Sequence, residues 1–129
     1  MANTLYTLGY RQRDSMSRLE KLVADNVIVL DIRYSPRSRC PEWSRKRLAE
    51  RFEGRYRHVP ELGNVNYRSP ELPIQLAHEF DGLWSVLFWV VNNRSDVCLL
   101  CACADVAGCH RWVVADLVQA ACACTVVHL

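Results

Sequence analysis

The chain has 129 residues, half of them apolar and 23% charged, a balance that excludes a disordered or low-complexity protein. That length is one domain's worth and can bury a real core without disulfide staples, and no apolar run approaches the ~18 residues of a membrane span. The net charge of +2 hides an asymmetry: residues 1–70 hold 14 basic and 8 acidic side chains, whereas residues 71–129 hold 2 and 6.

Thr4–Leu8 reads as a first strand, ending at Gly9-Tyr10. Asp14–Asp25 reads as a helix with Met16, Leu19, Leu22 and Val23 on one face and Asp14 or Ser15 as its cap. Val27–Ile32 is continuously apolar except for Asp31, the pattern of a strand buried on both faces. A loop, Tyr34–Cys40, leads to Pro41, where a helix carrying Leu48 and Phe52 begins and Gly54 stops it. Arg55–Val59 is a short third strand closed by Pro60, and Glu61–Pro73 is a long loop rich in Gly, Asn and Pro.

Gln75–Val91 places Leu76, Phe80, Leu83, Trp84, Leu87 and Val91 at helical spacing. Phe88, Trp89 and Val90 widen that face, so deep burial of this helix is expected, with a contact between two copies as the second option. The oligomeric expectation is a monomer, or a homodimer joined through Trp84–Val91. Asn92–Asp96 is a turn and Val97–Ala102 a fourth strand. Cys109–Ala121 is a helix, and Thr125–His128 a last strand. Alternating strands and helices predict one α/β domain over residues 1–129. It is Rossmann-like, with a mostly parallel sheet of about five strands and helices on both faces. In such sheets ligands bind beyond the carboxyl ends of the strands. The places to search are therefore Gly9-Tyr10, Arg33–Arg37, His58–Pro60 and the segment after Ala102.

The segment Leu99–Arg111 carries the densest chemistry. Cys101 and Cys103 are two apart, which strand geometry puts on one face. Cys109 and His110 open a helix, where free N–H groups favour thiolates and anions. A thiol, an imidazole and the Arg111 guanidinium are expected to converge in one pocket. Three chemical readings compete. One is a thiolate nucleophile, Cys109 or Cys101, with His110 as acid–base group. A second is an anion site built on Arg111 and the helix N–H groups. A third, the weakest, is zinc on Cys101, Cys103, Cys109 and His110. Adjacent Cys109 and His110 are awkward joint ligands, so no metal and no other cofactor is expected. The plain structural alternative makes His110 a core histidine on the stripe of Val114, Leu117 and Ala121. Seven cysteines in a chain expected in the cytoplasm argue against a disulfide framework.

Asp31–Arg39 sets Arg33, Arg37, Arg39, Ser35 and Ser38 just past a buried strand. Arg33 is expected in the crevice, with Asp31 pairing with it or with another arginine. At these residues the chain resembles the bacterial and archaeal proteins grouped as domain-of-unknown-function family 488. The matching pieces are Thr7–Tyr10, Asp31–Ser38, Tyr56–Gly63, and Cys101 through Cys109-His110-Arg111. The resemblance implies a compact α/β domain and no particular activity. It also implies a departure: members usually carry glutamate two residues after the strand cysteine, where this chain has Cys103. A base or ligand role of that glutamate would be lost or altered here. The Gly63–Pro73 stretch looks short for the family, which would trim a lid.

Two functions follow as expectations. The first is binding of a small phosphorylated, nucleotide-like ligand. Arg33, Arg37 and Arg111 would hold phosphate, Tyr10, Tyr34 and His58 would contact base or sugar, and Ser35 and Cys103 would complete the pocket. An enzymatic version is a Cys/His-dependent transferase or hydrolase on a nucleotide-type substrate. The alternative is a nucleic-acid-binding accessory domain on the basic Arg33–Arg57 region, with Trp43 or Tyr56 free to stack.

Overall fold

The computed structural model describes residues 3–129; Met1 and Ala2, which the sequence reading includes in the domain, lie outside the described residues. Five strands are separated by four α-helices: β1 (Asn3–Gly9), α1 (Ser15–Ala24), β2 (Ile28–Asp31), α2 (Arg45–Arg51), β3 (Tyr56–His58), α3 (Glu79–Leu87), β4 (Val97–Cys101), α4 (His110–Ala121) and β5 (Cys124–His128). Every strand pair is parallel, in the order β3-β2-β4-β1-β5. Among the described residues no helix is long and apolar enough to cross a membrane.

The period-two alternation of the strands divides the core. Val97, Leu99 and Cys101 of β4, with Ile28 and Leu30 of β2, pack under α3 and α4 against Val86, Val114 and Val118. Cys98 and Leu100, with Val29 and Leu8, face α1 and α2 and meet Leu19, Leu48 and Phe52. Both faces of β2 and β4 are therefore dry, which is why these strands read as nearly unbroken apolar runs.

The sequence expects one helix over Gln75–Val91, and the chain divides that segment in three. Residues 75–78 stay extended against the preceding loop: Val65 N–H donates to Gln75 O, Ala77 N–H to Gly63 O, and His78 N–H to Glu61 O. Only Glu79–Leu87 is α-helical, and Phe88–Asn92 widens into a π turn. Deep burial of this segment also fails. Gly82, Val86 and Val90 face the core, but Phe80 and Trp84 are 70% and 59% exposed, and Phe88 and Val91 are exposed too. A single sheet face covers only one stripe of a helix, so the rest of the apolar surface stays outside.

α2 leaves β2 toward β3, whereas α4 leaves β4 toward β5, on the opposite side of the sheet order. The sheet thus has its switch point between β2 and β4. A crevice opens there, past the carboxyl ends of the strands.

Candidate functional site

That crevice is a cleft of about 330 Å³. The turn after β1 supplies Tyr10 and Arg11, the loop after β2 supplies Arg33, Tyr34, Ser35 and Arg37, and the end of β4, the loop beyond it and the start of α4 supply Cys101, Cys103, Cys109 and His110. Two glycines let its walls approach. A Cβ on Gly9 would collide with the Cys103 carbonyl, and one on Gly63 would collide with the Tyr34 backbone. Pairing continues past the strand ends, since Tyr10 and Arg11 N–H groups donate to the carbonyls of Cys101 and Ala102 (2.9 and 3.1 Å).

Arg33 is anchored beneath this floor. Its Nε and Nη2 donate to the two carboxylate oxygens of fully buried Asp31 at 2.8 and 2.6 Å. The Tyr56 hydroxyl donates to the same carboxylate, and burial together with the Asp31 charge holds that phenol well above its ordinary value. Burial works against the Arg33 cation, but its bonds and charge pairing with Asp31 outweigh that and raise it above arginine's usual value. Arg33 Nη1 has no partner although the residue is only 5% exposed. The guanidinium lies 5.5 Å over the Tyr10 ring, which itself stacks on Trp43 at 5.0 Å. Sequence reasoning expected Arg33 in the crevice and Asp31 paired with it or with another arginine; Arg33 lines the cleft and pairs with Asp31.

The thiols form a second cluster. The sulfurs of Cys101, Cys103 and Cys109 lie within 4.8 Å of one another, and those of Cys101 and Cys109 are 2.6 Å apart. All seven cysteines are free. His110 Nδ1 is 3.9 Å from Cys101 Sγ and 3.8 Å from Cys109 Sγ. Its Nε2 lies 2.7 Å from the Ile32 carbonyl. A carbonyl only accepts, so Nε2 carries the proton and the Nδ1 lone pair faces the sulfurs. Burial lowers the His110 pKa, which keeps the ring neutral. Hydrogen bonds from Cys101 and then Cys109 draw Cys103 down, helped by His110 and Arg11. Bonds with Cys103 and then Cys109, together with burial, push Cys101 up. For Cys109 the bond with Cys101 works downward, but the bond to Cys103 and burial outweigh it. Of the three thiols, Cys103, the half-buried member, is thus the one whose pKa is drawn down. Such a group can attack an electrophile or grip a soft cation.

The expected convergence holds for thiols and imidazole but not for Arg111. That side chain is completely buried away from the cleft, donating to the carbonyls of Ala104 (3.2 Å) and Leu129 (3.4 Å). Successive helix residues point ~100° apart, and Arg111 turns away from the cleft that His110 lines. His58 also stays outside the lining, its Nε2 donating to the Arg33 carbonyl at 2.8 Å. The two aromatics expected to stack on nucleic acid, Trp43 and Tyr56, are 3% and 6% exposed. Cys109 Sγ and His110 Nδ1, expected to be awkward joint ligands, lie 3.8 Å apart.

Sequence reasoning missed Arg11, Asn64, Asn66 and Tyr67, all of which line the cleft. Arg11 carried a signal, since it directly follows the Gly9-Tyr10 strand end. The other three carried none. Their loop reaches the cleft only because residues 61–65 pair with residues 75–78. The stretch expected to carry a trimmed lid thus forms one wall.

Fold and cleft together define a small α/β protein with a ligand-type crevice at the switch point of its sheet. The family described as Domain of unknown function DUF488 matches residues 16–85, more than half of the chain, and the chain belongs to that family. The matched stretch contains Asp31–Ser38 and Tyr56–Gly63, whereas Cys101, Cys103 and Cys109-His110-Arg111 lie beyond it. No curated protein and no solved structure matches.

Proposed function

We propose that the cleft binds a small phosphorylated, nucleotide-like ligand. One observation carries the reading: among the described residues Arg11, Arg33 and Arg37 line the cleft and no carboxylate does. The charge of Arg33 is matched by Asp31, so Arg11 and Arg37, both exposed, are the cations left to meet phosphate. Tyr34 and Tyr67, about half exposed with ring centroids 6.2 Å apart, offer aromatic surface for a base. Asn64, Asn66 and Ser35 add polar groups for a sugar or ring edge. The volume lies within the range of small-molecule sites. The nucleic-acid alternative is weakened by its buried aromatics and because Arg51 pairs with Glu20 at 2.9 Å.

Calorimetry with nucleosides, nucleoside mono-, di- and triphosphates and inorganic phosphate tests the reading. Phosphorylated members should bind, their nucleosides should not, and Arg11→Ala/Arg37→Ala should lose at least ~10-fold in affinity, the cost of one charged hydrogen bond. A parent protein that ignores the whole panel sinks the idea.

A further inference from the structure

We infer that Cys101, Cys103, Cys109 and His110 form a zinc-binding site at the floor of the cleft, with Sγ, Sγ, Sγ and Nδ1 as its four donors. This inference does not rest on the ligand reading, and each can fail without the other.

Four observations carry it. The three sulfurs share a space no wider than 4.8 Å, and His110 Nδ1 stands 3.8 and 3.9 Å from two of them. Tetrahedral zinc with ordinary bond lengths sets sulfur–sulfur edges of ~3.8 Å and sulfur–nitrogen edges of ~3.6 Å. The imidazole therefore already stands near ligand distance from Cys101 and Cys109, and that pair of sulfurs must part by ~1 Å. Second, the Nε2–H bond to the Ile32 carbonyl at 2.7 Å fixes the tautomer that a metal-bound histidine needs. Histidine ligands are commonly oriented by such a bond to the ring's far nitrogen. Third, the donor set is soft, three thiols and one imidazole with no carboxylate, which selects zinc over magnesium or calcium. Fourth, Cys101, Cys103, Cys109 and His110 all border the cleft, so an ion has an entry path.

Binding releases the protons remaining on the three thiols to solvent and changes no oxidation state, so no co-reactant is needed.

The test uses the full chain, stripped with chelator under reducing conditions and titrated with Co²⁺ and then Zn²⁺. One Co²⁺ per chain should give a thiolate-to-metal charge-transfer band and tetrahedral d–d bands, and Zn²⁺ should abolish both. Cys103→Ala should weaken zinc by more than the roughly 10–100-fold typical of losing an outer-shell partner. Cys40→Ser, which alters an exposed cysteine outside the cluster, should leave affinity unchanged. A readout on the parent protein covers the case of a misfolded variant: Zn²⁺ should protect Cys103, but not Cys40, from iodoacetamide. Absence of the cobalt bands, their persistence in Cys103→Ala, or unprotected Cys103 in zinc-saturated protein would each overturn the inference.

Discussion

At the scale of single residues, the best-determined feature is the buried triad of Asp31, Arg33 and Tyr56. A carboxylate with no solvent contact survives because a guanidinium and a phenol both donate to it. Removing one partner strands the rest. Arg33→Met is expected to cost about 3–5 kcal/mol, and Tyr56→Phe about 1–3 kcal/mol, in urea denaturation. The Tyr56 pKa is raised in the folded state, so the native protein holds its proton more tightly than the unfolded chain does. The associated stability is present below the unfolded tyrosine pKa of ~10 and is lost as pH rises past it. Denaturation midpoints should fall above about pH 10 in the parent protein and fall less steeply in Tyr56→Phe. Gly9 makes a different demand, since any Cβ there meets the Cys103 carbonyl. Gly9→Ala should destabilise by about 1–3 kcal/mol and displace the Cys103 loop. Altered amide shifts at residues 101–105 would report the displacement, and an unchanged spectrum with full stability would refute it.

At the scale of elements, helix α3 with its π turn has two unlike faces. Val86 and Val90 sit in the core, whereas Trp84 and Phe88 face outward. Substitution should respect that division. Trp84→Gln and Phe88→Gln are expected to change stability by no more than about 0.5 kcal/mol, as surface positions do. Leu100→Ala in the central strand β4 should cost about 2–5 kcal/mol, because Leu100 is fully buried and a cavity would remain. Thermal melts of the three variants check the contrast, and a large loss in Trp84→Gln would mean that this face is covered in solution. Periodicity marked the whole segment as apolar at helical spacing, and that reading was sound for Glu79–Leu87. It failed at Gln75–His78 because backbone pairing with residues 61–65 captured those residues first. Spacing alone carries no record of such a competing partner.

At the scale of the whole molecule, parallel strands with helices on both faces bring the ends of β1, β2 and β4 together, and the cleft is the space between them. Ligand binding there should stabilise the native state by mass action. A phosphorylated ligand at 100 times its Kd adds about 2.7 kcal/mol, read as an upward shift of the melting temperature that the Arg11→Ala/Arg37→Ala protein lacks.

From its sequence alone this chain is legible as an α/β domain with parallel strands, because unbroken apolar runs and the period of helices are local properties of neighbouring residues. The strand-end cysteines, His110 and the Asp31–Arg33 pair were legible for the same reason, since a strand end is where side chains face a crevice. Tertiary structure alone decided the strand order, the burial of Arg111, Trp43 and Tyr56, and the wall built from Asn64, Asn66 and Tyr67. It also decided how closely Cys103 stands beside Cys109, and that His110 turns its lone pair toward both Cys101 and Cys109. Those outcomes depend on contacts between segments far apart along the chain, whose geometry is set only when the sheet closes and the helices pack upon it.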